Sequence, residues 1–334
     1  MAEREAVVFP NRDGLRLFGV LHRPGGVAER GDVAVIFLSP GVKTRVAPHR
    51  LYNKMTESVL KLGFPVLRFD FYGLGDSEGE LPETQLVDLY ASVQDGRYLD
   101  DTLCAMDWLE QRLGVRQFIL AGLCGGALTG LFAAGRDRRV CGVLGLGLPV
   151  ALDGRETDPS RFMTQGQLED LGSTYLSKLF NPHAWWRLLT FKSDYRLLFR
   201  AVQRRLLGKQ KTAPKPVTAS EPQVSNLNPL VPPAFFDFLS AGGHLLLVFS
   251  GADRLAWEFE EKFAQPYAGR LAGLGNHYEM HTIAHANHIL SDPQWRNEMQ
   301  ELSDDWLLRH FCHGRDSSMK GRGTLQRVEE HCSE

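Results

Sequence analysis

No stretch of this chain approaches the roughly 20 consecutive apolar residues that a membrane-spanning helix needs. The start, Met1-Ala2-Glu3-Arg4-Glu5, is charged and has no apolar core, so no signal peptide is expected. The five cysteines, at 104, 124, 141, 312 and 332, are odd in number and irregularly spaced, with no C-x-x-C pair. That pattern excludes a disulfide framework and a thiolate metal site, and it implies a reduced, cytoplasmic protein. Charge is also nearly balanced, at −2 overall, which leaves no electrostatic footprint for nucleic acid. The histidines have no carboxylate cluster at ligand spacing, so neither a metal nor a cofactor is expected. What is present is ordinary globular material: 334 residues, 43% hydrophobic and 23% charged, enough for one large domain with an insertion.

The order of that material is informative. Leu15 to His22 alternates and stops at the turn Arg23-Pro24-Gly25-Gly26. Val33-Ala34-Val35-Ile36-Phe37-Leu38 is continuously apolar, as a strand covered on both faces would be. Helical spacing over 50–62 ends at Gly63, a strand follows at 65–69, and helical spacing returns over 100–113 before Gly114. A strand over 117–121, a small-residue helix over 127–134 and a strand over 140–148 come next. Alternating strands and helices imply right-handed crossovers and a mainly parallel sheet with helices on both faces. The rhythm stops near Pro149 and resumes at His244. The expected organisation is a core over 1–149 and 242–312, a mainly helical cap inserted over 150–241, and a disordered polar tail over 313–334.

At the centre stands Gly122-Leu123-Cys124-Gly125-Gly126, between an apolar strand and the small-residue helix. Gly-x-nucleophile-x-Gly in that setting is the nucleophile elbow of an α/β-hydrolase fold, with Cys where Ser is usual. The acid and the histidine follow the nucleophile along the chain in this fold. Asp253 lies just past the strand ending Val248-Phe249-Ser250, on the same rim as the elbow. His288 follows the last short strand, over 278–283, and precedes the final helix, over 293–311. Cys124, Asp253 and His288 therefore form the candidate triad. His288 would take the thiol proton and Asp253 would hold the imidazole tautomer. The amide of Gly125, with that of Val42 or Gly41 from the loop after the strand over 33–38, would form the oxyanion hole. His285 is the alternative to His288, and Asp237 the alternative to Asp253. Cys124 also has a bland reading, as a buried structural cysteine at a catalytically silent elbow.

Asp70-Phe71-Tyr72-Gly73-Leu74-Gly75-Asp76-Ser77 resembles the Asp-x-x-Gly-x-Gly-x-Ser loop of α/β-hydrolases. Together with Leu17 to Pro24 it extends the resemblance over most of 7–148 and 243–312. The chain resembles the serine aminopeptidase/lysophospholipase-like branch of that superfamily. More narrowly, its Gly-Leu-Cys centre is similar to that of the exosortase-system-associated hydrolases with a cysteine at the elbow. Two departures stand out: Cys124 for Ser, and Asn287 where many relatives carry Asp before the histidine.

The resemblance implies hydrolysis of esters or thioesters through an acyl-enzyme. Acyl transfer through the same intermediate, or a non-catalytic binding protein on the same fold, are the alternatives. The partner would be a small acyl substrate, free or bound to a carrier. The inserted segment carries Arg187, Lys192, Arg196, Arg200, Arg204, Arg205, Lys209, Lys211 and Lys215 beside Trp185, Trp186 and several leucines. Its plain reading is a cap helix with one solvated face; its sharper reading is a lid that meets an anionic lipid surface or a carrier phosphate.

Overall fold

The computed structural model describes residues 3–27, 29–152 and 226–312. Eight strands form one sheet in the order β1-β2-β4-β3-β5-β6-β7-β8. They are β1 (Glu3–Pro10), β2 (Arg16–Arg23), β3 (Val33–Leu38), β4 (Val66–Phe69), β5 (Gln117–Leu123), β6 (Val140–Leu146), β7 (His244–Ser250) and β8 (Tyr278–Ile283). β1 and β2 form an antiparallel hairpin, β2 runs antiparallel to β4, and every pairing from β4 to β8 is parallel.

The central strands are covered on both faces, as their unbroken apolar runs require. Along β3, Ala34, Ile36 and Leu38 point into one core, while Val33, Val35 and Phe37 point into the other. β5 divides in the same way, Phe118 and Leu120 against Ile119 and Ala121. On the first face lie α2 (Leu86–Gln94), α3 (Leu99–Leu113), α4 (Gly125–Ala134), α5 (Val231–Ser240) and α6 (Arg254–Phe259). On the second lie α1 (Leu51–Lys61) and α7 (Pro293–Phe311). All ten residues of α4 are buried. A helix with no polar side has no stable place except inside the protein, so the elbow helix sits at the centre of the fold.

The chain divides into two compact units, Met1–Thr157 with Leu227–Glu334, and Asp158–Asn226. Of the expected cap and tail, 153–225 and 313–334 lie outside the described residues. The described flanks of the cap meet each other: Ala151 and Leu227 form an antiparallel bridge, and Asn228 N–H donates to Val150 O at 2.7 Å. The core therefore resumes at Leu227 instead of residue 242. α5, counted with the insertion in the sequence, buries Val231, Phe235, Phe236, Phe238 and Leu239 in the same core as α4.

Candidate active site

Local sterics build the elbow. Cys124 has φ 54° and ψ −116°, a conformation that costs a residue with a Cβ on the order of 1–3 kcal/mol. Its neighbours hold it there. Cys124 N–H donates to Leu146 O at 2.8 Å, and Cys124 O accepts from Leu128 N–H at 3.1 Å. The buried Tyr52 hydroxyl donates to Leu38 O at 2.8 Å and accepts from Leu123 N–H at 2.7 Å, tying the ends of β3 and β5 together. Helix and strands approach so closely that only glycine fits. A Cβ on Gly122 would lie 2.4 Å from the Gly126 carbonyl carbon, and one on Gly126 would lie 2.5 Å from Leu38 O. The turn leaves the Cys124 side chain half-buried at the N-terminus of α4, where the helix dipole favours negative charge.

Two loops bring the acid and the imidazole together. Asp253 caps α6, its carboxylate accepting from Leu255 N–H. Gly251 N–H donates to Ile283 O at 2.9 Å and Ala252 N–H to Ala286 O at 3.0 Å, which stitches the loop after β7 to the loop after β8. Asn287 shapes the second loop, bonding Ser291 through both its amide nitrogen and its oxygen. Arg296 of α7 fixes the same loop by donating to the carbonyls of Leu290 and Ser291.

The result is a bond of 2.6 Å from His288 Nδ1 to Asp253 Oδ2. His288 is pushed up to about 10, first by this bond and next by a hydrogen bond with Cys124, against the opposing effect of burial. The three residues named in the sequence thus converge. The alternatives do not: His285 is exposed at φ 60°, and Asp237 is exposed on α5.

The oxyanion candidates separate. Gly125 is the first residue of α4 and has no acceptor one turn back. Val42 N–H makes no hydrogen bond among the described residues. Gly41 N–H, by contrast, is spent on Ser39 O at 2.7 Å. Gly41 is therefore a poor donor and Val42 the better one. The loop they occupy is anchored by Asp70, which is wholly buried. Asp70 Oδ1 accepts from Arg45 N–H at 2.5 Å, and Oδ2 pairs with the Arg45 guanidinium, which also reaches Asp76 at 2.6 Å. The Asp-x-x-Gly-x-Gly-x-Ser motif thus clamps the loop after β3.

Sequence reasoning missed Tyr52, Arg45 and Tyr90. Tyr90 Oη lies 3.2 Å from Cys124 Sγ. Leu86, Tyr90 and Val93 recur at i, i+4 and i+7, a spacing that marks a helix but not what Tyr90 faces. Among the described residues, no group of three or more His, Cys, Asp and Glu is arranged to hold a metal ion.

Comparison with known proteins decides the family. Residues 35–299 match the family described as the alpha/beta hydrolase family. The chain belongs to it. An esterase from Pyrococcus furiosus shares the fold of this α/β-hydrolase at 18% identity and TM-score 0.55, covering 92% of each chain. A dienelactone hydrolase from Anabaena variabilis does so at 14% identity and TM-score 0.50, over 92% of this chain and 98% of its own. A protein of unknown function from Agrobacterium tumefaciens matches at 17% identity and TM-score 0.50, over 95% and 98%. At these identities the likeness is one of fold. No curated protein matches the chain.

Proposed function

We propose that this α/β-hydrolase cleaves ester or thioester bonds through a covalent thioester on Cys124. The observation that carries the reading is the 2.6 Å bond between His288 and Asp253 behind a thiol held in a strained elbow. Cys124 attacks the acyl carbon as thiolate, forming a C–S bond, while the amides of Gly125 and Val42 take the oxyanion. Each such donor contributes about 3 kcal/mol. Collapse breaks the bond to the leaving oxygen or sulfur, and the His288 imidazolium supplies the proton. Once Cys124 is acylated, its contribution to the raised His288 pKa is gone. The neutral imidazole then accepts a proton from water, which attacks the thioester, and the thiolate departs. Asp253 keeps Nδ1 protonated throughout, so that Nε2 does the chemistry.

The inserted segment, without the helix α5 that packs in the core, is proposed as a lid that selects the acyl group. No helix among the described residues is long and apolar enough to cross a membrane. The Gly122-Leu123-Cys124 centre supports a narrower relation to the cysteine-elbow hydrolases.

The test is intact mass spectrometry of the protein mixed with activated esters and acyl thioesters, with Cys124→Ala alongside. A transient acyl adduct mapped to Cys124 and absent from the variant is expected. An adduct that persists in Cys124→Ala, or turnover unchanged by the substitution, would overturn the assignment.

A further inference from the structure

Tyr90 is outside the triad, yet its hydroxyl reaches the same sulfur. The contact is built into the fold. Val93, fully buried one turn along α2, packs on the backbone beside the nucleophile, so that a Cβ on Gly125 would come within 3.0 Å of Val93 Cγ1. Residues at i and i+3 share a helix face, and Tyr90 is thereby presented to Cys124. The end of α2 is fixed as well. Gln94 Nε2 donates to Ala151 O at 2.6 Å, and Asn228 Nδ2 donates to Gln94 O at 2.8 Å. A helix pinned at Val93 and Gln94 holds Tyr90 Oη at its 3.2 Å distance from Sγ.

Between a thiol and a phenol either atom can donate. Between a thiolate and a phenol only the phenol can. A hydrogen bond to an ionised acceptor is about twice as strong as a neutral one. The contact therefore strengthens when Cys124 ionises and weakens when the sulfur becomes a thioester.

We propose that Tyr90 is a catalytic residue that donates a hydrogen bond to the Cys124 thiolate, stabilising the attacking anion and aiming the sulfur at the incoming acyl carbon. The proposal rests on Cys124 being the nucleophile. It adds a second donor to the sulfur, carried by α2 where His288 is carried by the loop after β8. No proton leaves Tyr90: His288 exchanges protons with leaving group and water, and the phenol only donates a hydrogen bond.

The test is the rate of Cys124 alkylation by iodoacetamide from pH 4 to 10, read at that residue by peptide mass spectrometry. The proteins are wild type, Tyr90→Phe and His288→Ala, each with its melting temperature. Tyr90→Phe removes one hydroxyl and leaves the ring packing in place. The inflection of its profile is expected to rise by about one pH unit, the scale of one lost charged hydrogen bond. At pH values below both inflections, alkylation should fall about tenfold for the same reason. Acyl-adduct formation should slow in parallel. A Tyr90→Phe profile that superimposes on wild type, or shifts downward, while His288→Ala shifts upward, sinks the role of Tyr90 and leaves the nucleophile standing. Profiles that all coincide with that of an ordinary thiol sink both.

Discussion

The two ends of β7 and β8 carry histidines in opposite electrostatic states. At the C-terminal ends, His288 meets Asp253 and Cys124 and is pushed up to about 10. At the N-terminal ends, some 20 Å away by the rise of a strand, His244 stacks on His277 at 4.6 Å and on His310 at 4.2 Å between ring centroids. Burial pushes His244 down to about 4, and the two neighbouring imidazoles push the same way. Its Nδ1 is buried without a partner among the described residues. The cluster does have a carboxylate, Glu279, but that group is turned to His310 and Arg309, which hold it at about 2. The residue type is the same, but His244 opens β7 while His288 stands in the loop after β8. What also differs is whether a carboxylate faces the ring, and that sets the direction in which each imidazole is pushed.

The largest effect should come from breaking the charged end. Asp253→Asn removes the partner that fixes the tautomer, and kcat/KM for the best acyl substrate should fall by about 10^4-fold. A drop below tenfold would return His288 to the status of a solvated loop residue. A sharper measurement is NMR titration of the imidazole protons in wild type. His288 should titrate near 10 and His244 near 4. Two histidines titrating together near 6.5 would dissolve the contrast.

Linkage sets the next prediction. His244 has its folded value below its unfolded one, so the unfolded chain binds the proton first. Its contribution to stability is present above 6.5 and lost as pH falls toward 4. The same sign holds for His22, also pushed down to about 4, by burial and then by Arg68. His244→Phe should flatten the fall of the melting temperature between pH 6.5 and 4 by about 2–4 °C. His288 has the opposite sign: its contribution is present below 6.5 and lost as pH rises through about 10. The smallest effect is expected of Glu279→Gln, which loosens the half-exposed Arg309 pair and the His310 bond. About 1 kcal/mol of stability should go at neutral pH. The loss should vanish as pH falls from 4.5 toward 2, where the wild-type carboxylate protonates as well.

Much of this was legible in one dimension. The strand over 33–38, and the one over 117–121 after Gln117, appear as unbroken apolar runs because both faces are covered. The elbow is legible because Gly122 and Gly126 sit where any side chain would strike backbone. The segment 227–241 reads as part of the insertion in the sequence because an apolar helix between Pro232 and Gly242 looks the same whether it covers a lid or a core. Tyr90 was passed over because α2 is short, its exposed end carries Leu86 and Val87, and nothing in its spacing names what its tyrosine faces.

The sequence by itself determined the α/β order, the elbow and the succession of cysteine, aspartate and histidine. These are consequences of local sterics and of burial periodicity, which act between near neighbours. Only the tertiary structure showed the 2.6 Å bond between His288 and Asp253, the exposure of His285, the pairing of Gly41 N–H with Ser39 O, and the place of Tyr90 beside the sulfur. Those outcomes depend on two loops stitched together after parallel strands and on a helix wedged against an elbow. Such contacts join residues tens to hundreds of positions apart, and no local pattern encodes the distance between them.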